Sequence, residues 1–257
     1  MRARGIRARR LSARLAAITL GIASARAAAA QGGEVGYPAS RSPFTDLDFN
    51  QSFTVLGGYF HAAKDPAGVA PQGGPLVGLQ YDLGSGPAIF TTRVRTVFSD
   101  RTVLDPARPA SERVLGTEKR PLTMLDLGLT LALTGSRTFH GFVPLVHAGG
   151  GIVTNFGGTD PGGFTFGTSF ALSYGLGVRY VPSSASRYAL RVDVGSSLYR
   201  VRYPASYAQP STGYNTGSSG TYVGTPDSTS IVPSNSALSR YRNNTAITAG
   251  VSYLFHR

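Results

Sequence analysis

Residues 170–180 read FALSYGLGVRY, and alternate positions fall into two unlike sets. Phe170, Leu172, Tyr174, Leu176, Val178 and Tyr180 are large and apolar, while Ala171, Ser173, Gly175, Gly177 and Arg179 are small or charged. A period of two over eleven residues predicts a β-strand with two different faces. The same reading gives eight strands, at 49–61, 76–83, 88–98, 122–133, 142–154, 170–181, 187–201 and 245–255. In 122–133, Leu125, Leu127, Leu129, Leu131 and Leu133 oppose Asp126, Gly128 and Thr130. The fifth segment alternates least cleanly, because Pro144 and the run Gly149, Gly150, Gly151 interrupt it.

The connections alternate in length. Those at 84–87, 134–141 and 182–186 are short, and those at 62–75, 99–121, 155–169 and 204–242 are long. Long loops at one end and tight turns at the other predict an all-β fold, an eight-stranded antiparallel up-and-down transmembrane β-barrel. Both chain ends then lie at the short-turn side. A further hairpin inside the fourth loop, centred on GTYVG at 220–224, would raise the count to ten.

A soluble lipocalin-like barrel also alternates, with its apolar set inward. Here the opposite set is mostly small, and its charged members can neutralise one another. Gln80, Asp82, Arg93, Arg95, Asp126, Arg179, Arg191 and Asp193 share the parity opposite to the bulky apolar residues. An Arg turned toward lipid costs about 2–4 kcal/mol at the bilayer midplane and about 0–1 near its edges. The large set is therefore expected to face lipid and the small and charged set the lumen. Asp82, Arg93, Arg95, Asp126, Arg179, Arg191 and Asp193 are expected to form a lumen charge network, either a structural plug or a gate. Only Lys64 and Lys119 occur in the chain, so no lysines guard the strand faces as in soluble sheets. Tyr81, Phe90, Tyr180, Tyr188, Tyr253 and Phe255 fall at strand ends beside the short turns or the C-terminus. Tyr59 and Phe98 take matching places at the long-loop end. These eight are the expected aromatic girdles.

Composition narrows the picture. The absence of Cys excludes disulfides, Cys-ligated zinc, Fe–S clusters, a thiol nucleophile and a lipoprotein anchor. Of the formal charge of +12, seven units come from Arg2, Arg4, Arg7, Arg9, Arg10, Arg14 and Arg26, leaving +5 for the rest. The remaining Arg residues are scattered, which argues against a nucleic-acid partner. Residues 1–30 read as a signal peptide: a basic start, the apolar run LAAITLGIA, and small residues with a cut expected near Ala30, or alternatively Ala28. That run is about nine residues, too short for a spanning helix of about twenty. Residues 31–47 are expected to be a loose periplasmic segment, and 48–257 the barrel.

With VPLVHAGGGIVTNFGG, YGLGVRYVPSSASRYALRVDVG and the closing AITAGVSYLF in place, residues 48–257 resemble the small OmpA/OmpW-like outer-membrane barrels of diderm bacteria. The resemblance implies insertion by the outer-membrane assembly machinery, which would read the C-terminal strand with Ala249, Val251, Tyr253 and Phe255. His256 and Arg257 follow where the family ends in an aromatic.

Candidate chemistry is sparse. His61, His140, His147 and His256 have no ligand neighbours at metal-binding spacing. No His-x-Ser triplet would set a base beside a nucleophile on one strand face; a cross-strand pair such as His147 with Ser173 depends on register. The glycines of 147–164 lack both the following helix of a phosphate cradle and the repeats of a calcium roll. No cofactor is expected. Residues 204–239 are polar, Tyr-bearing and nearly uncharged, suited to a surface ligand or to a plain solvated loop. The second loop carries Arg113, Lys119 and Arg120 as candidate contacts to anionic lipopolysaccharide. The leading expectation is a non-enzymatic, lipid-embedded scaffold in the outer membrane with a plugged or narrow lumen. Passive transport of small or hydrophobic solutes, adhesion through the fourth loop, and lipid modification are the alternatives.

Overall fold

The computed structural model describes residues 42–84, 86–208, 231–232 and 238–255. The chain divides into two units, Met1–Ser42 and Pro43–Arg257, and the second is the one described below. The expected signal peptide with its cleavage site, the possible hairpin at 220–224 and the terminal His256 and Arg257 lie outside the described residues.

Ten strands follow in chain order: β1 Phe44–Asp46, β2 Gln51–His61, β3 Gly74–Leu83, β4 Ala88–Leu104, β5 Val114–Ala132, β6 Arg137–Phe139, β7 Phe142–Thr154, β8 Thr168–Tyr180, β9 Tyr188–Arg202 and β10 Ser239–Phe255. Eight of them close a ring of antiparallel neighbours, β2–β3–β4–β5–β7–β8–β9–β10. Closure is made by β10 on β2, in register from Thr245↔His61 to Phe255↔Gln51. Through the ring each strand has a hydrogen-bonded neighbour on both sides, so the closed sheet has no free edge.

Three differences from the sequence reading share one cause. β4, β5 and β10 run well past the segments expected at 88–98, 122–133 and 245–255. The second loop is therefore largely hairpin: Ser99↔Arg120, Asp100↔Lys119, Arg101↔Glu118 and Thr102↔Thr117 continue the ladder. Apolar alternation ends where the exposed face of the wall turns polar, but backbone pairing does not, so polar strand extensions carry no hydrophobic signal. The expected turn at 134–141 holds β6, and part of the segment expected to be loose forms β1. These pair as Phe44↔Phe139 and Asp46↔Arg137, the latter with an ion pair at 2.8 Å.

The outward set is apolar all round the ring: Val55, Leu79, Val94, Leu127, Ile152, Leu176, Val192 and Ile247 are among the exposed side chains. The inward set is layered. Ile89, Ala132, Val143 and Leu145, joined by Leu47, fill the short-turn end, beside Val181, Ala189 and Leu254. Polar and charged residues come next. Above them a larger apolar cluster, including Leu56, Phe60, Leu76, Leu122, Met124 and Tyr199, packs with Val69, Phe164 and Tyr207 of the long loops.

The glycine run of β7 has a packing reason. A Cβ on Gly151 would lie 1.8 Å from the Leu125 carbonyl oxygen, so β5 and β7 approach too closely there for any side chain.

Candidate functional site

The charged layer is built by strand parity. Asp82 on β3, Arg93 and Arg95 on β4, Asp126 on β5, Arg179 on β8, and Arg191 and Asp193 on β9 all point inward and are all buried. Asp82 is the hub. It accepts Arg179 Nη2 at 2.6 Å and Arg191 Nη1 at 2.9 Å, with Ser52 Oγ at 3.1 Å, Gln80 Nε2 at 2.7 Å and Thr91 Oγ1 at 2.9 Å. Arg191 also grips Asp193. Gln80 extends the set, accepting Arg93 Nε at 2.7 Å. Arg95 and Asp126 form a separate pair at 2.5 Å, with Ser197 Oγ at 3.3 Å from the same Arg95 nitrogen. Such burial is tolerable only when charges are paired and hydrogen-bonded.

The register shows how the wall makes room. On β8, a Cβ at Gly177 would lie 2.2 Å from Asp193 Oδ1, and one at Gly175 would lie 2.6 Å from His147 Cε1. These glycines clear the volume taken by inward side chains of the adjacent strands.

His147 and Ser173 line one small cavity with Arg93, Asp126, Thr91 and Thr130, and no hydrogen bond joins the two. Its volume is about 10 Å³, room for roughly one water and no substrate. His147 Nδ1 and Arg93 Nη2 have no hydrogen-bond partner there.

Two polar clasps close the long-loop side, and sequence reasoning missed both. Arg101 binds Asp160 of the third loop and Glu118 of β5, the latter at 3.0 Å. Arg242 of β10 reaches the first loop, bonding Asp65 Oδ1 at 2.8 Å and the carbonyls of Ala63 and Lys64 at 3.0 and 2.6 Å. Tyr203 joins this clasp: its hydroxyl donates to Asp65 Oδ1 at 2.7 Å and accepts from Arg242 Nη2 at 2.7 Å. Burial pushes the Tyr203 phenol above its ordinary range, and the bond to Asp65 adds to the rise. The hydrogen bond from Arg120 to Glu118, supported by Arg101, holds the Glu118 carboxyl below its ordinary range. A signal for Arg101 was present, since Arg93, Arg95, Val97, Ser99 and Arg101 are successive members of one alternate set.

The expected girdle residues all face outward. Tyr59, Phe90, Phe98, Tyr188 and Tyr253 are exposed, and Tyr81, Tyr180 and Phe255 are half-buried. Tyr188 and Tyr253 meet edge to face with centroids 5.5 Å apart, and Tyr180 lies 4.8 Å from Phe142. Of the three cations considered in the second loop, Arg113 is buried and its Nε donates to the Arg108 carbonyl at 3.1 Å. Arg120 is committed to Glu118 at 2.7 Å, and exposed Lys119 stands opposite Asp100.

No protein-family model and no curated protein matches the chain. Among solved structures it is similar to Neisserial surface protein A, with a TM-score of 0.43 and 11% identity over 80% of this chain and 97% of that one. The architecture rests on the hydrogen-bond ring itself, and by that ring the chain is an eight-stranded antiparallel up-and-down β-barrel.

Proposed function

We propose that this chain is an exported outer-membrane barrel with a closed lumen, a lipid-embedded scaffold that carries long loops on the outer face and performs no catalysis. One observation carries the reading: the buried charged layer is stacked between two apolar clusters, with ion-paired loop clasps over the upper one. A conducting path would need water through all of these layers. Two cavities, one in and one below the charged layer, have volumes of about 10 and about 20 Å³. An exposed apolar wall of this extent is unstable in water and suited to hydrocarbon. Insertion through the C-terminal strand agrees with Ala249, Val251 and Tyr253 on the outward face of β10. Against catalysis stands the cramped His147–Ser173 cavity, since a nucleophile and base need access to substrate.

The test is single-channel recording of the refolded mature protein in planar bilayers. Current at background supports a sealed scaffold. Steady ohmic steps at neutral pH overturn it in favour of passive transport.

A further inference from the structure

Where the apolar wall ends on the long-loop side, three adjacent strands present an unusual row. Arg200 of β9 is paired with Tyr241 of β10. On its other side Ser169 of β8 donates to the Arg200 carbonyl at 3.0 Å, which puts Phe170 beside it. Phe170 is 65% exposed and Tyr241 69%, so Arg200 is flanked on the two neighbouring strands by exposed aromatic residues. Arg202, the next outward residue of β9, is also exposed and is paired with Ser239.

Height along the barrel identifies the level. The outward residues of β9 run Tyr188, Leu190, Val192, Val194, Ser196 and Leu198 before Arg200. Ten residues at about 3.3 Å each, on a strand tilted about 40°, rise about 25 Å, the height of an outer-membrane apolar band. Arg200 and Arg202 therefore lie at the headgroup level. No Asp or Glu occupies the outward faces of β8, β9 or β10, since Asp193 points into the lumen. Arg200 Nε donates to Ser239 Oγ, and the Arg200 guanidinium makes no ion pair among the described residues.

We propose that Arg200 and Arg202, flanked by Phe170 and Tyr241, form a binding site for a phosphate of lipopolysaccharide in the outer leaflet. The inference rests on the orientation proposed above, with the long loops outside. A guanidinium fork matches phosphate oxygens two at a time, and a pair of forks without a carboxylate is complementary to a phosphorylated sugar head. The flanking rings suit the boundary between acyl chains and headgroup. The second-loop cations are poorer candidates, because each is turned inward, already paired, or set opposite an aspartate.

Native mass spectrometry of the folded barrel in detergent tests the site without reference to conductance or cellular location, so its failure is separate from failure of the scaffold reading. The probes are bisphosphorylated lipid A, dephosphorylated lipid A and phosphatidylglycerol. Selective retention of the bisphosphorylated form is expected, with a loss of about tenfold or more in R200Q/R202Q, as for removal of charge-assisted hydrogen bonds. Equal retention by that variant, or equal binding of either control lipid, overturns the proposal. Should the glutamine pair fail to fold, R200K/R202K carries the test: it keeps the charge but loses the fork, and must bind more weakly than the native barrel or the site is refuted.

Discussion

Arg191 and Asp193, two residues apart on β9, point the same way and hold each other through two hydrogen bonds, Nε to Oδ2 at 2.7 Å and Nη2 to Oδ1 at 3.0 Å. The remaining Arg191 nitrogen reaches Asp82 across β10 and β2. A local pair is thus tied to a distant one, and the tie runs through a single carboxylate.

Asp82→Ala is expected to be the most damaging single substitution in the lumen. It leaves the buried Arg179 guanidinium without a carboxylate, leaves Arg191 with Asp193 alone and removes the acceptor of three neutral donors, and breaking a buried pair from one side costs about 3–5 kcal/mol. Asp126→Ala, which releases only Arg95, should cost less. Urea unfolding of both variants in lipid vesicles checks the order, and equal stabilities would show that Asp82 is not a hub.

The lipid-facing wall proposed above predicts a depth-dependent penalty. Leu176, in the middle of β8 and 63% exposed, should lose about 2–4 kcal/mol when changed to Arg, whereas Tyr241→Arg at the rim should lose about 0–1. Reversible unfolding from bilayers measures the two. A neutral Leu176→Arg would mean that this face meets water.

Gly151→Ala should impair closure of the ring, because its new methyl group would lie 1.8 Å from the Leu125 carbonyl oxygen, far inside van der Waals contact. The readout is the fraction of folded, heat-modifiable protein on a semi-native gel. Gly158→Ala, where a Cβ meets open space, is the control and should fold as the native chain does.

The Tyr203 clasp sets an alkaline limit on the first and fourth loops. Its phenol is held above the ordinary tyrosine range, so its contribution is complete below that range and is lost as pH rises through the folded value. The protection factors of the Ala63 and Ala70 amides, referred to the base-catalysed intrinsic exchange rate at each pH, should fall as pH rises into the alkaline range. Tyr203→Phe should remove that pH dependence and cost about 0.5–1.5 kcal/mol at neutral pH. Exchange that is unchanged by the substitution would refute the clasp.

Legibility in the sequence followed the range of the interaction. The strand at 142–154 has the bounds read from it, because Phe142 and Val153 border tight turns or polar loops. β4 and β5 extend past the segments legible in the sequence, since Ser99–Leu104 and Val114–Pro121 pair without a sustained apolar alternation. Parity along one strand put Asp82, Arg93 and Arg191 on a common side, and that side is the inward one. It did not show that Leu56, Phe60 and Tyr199, on the same inward parity, make the upper lumen apolar. A bulky residue on either face of a strand leaves the same letter in the sequence.

What the sequence determined by itself was the wall: eight alternating segments, unequal loops, and bulky residues on one face with charges on the other. That pattern is local, because successive side chains of an extended chain point to opposite sides whatever surrounds them. Only the tertiary structure decided which charges met, that apolar layers enclosed them, and which arginines stayed open at the rim. Those outcomes depend on partners such as Asp82 and Arg191, 109 positions apart, whose distance is set by ring closure and register rather than by neighbouring residues.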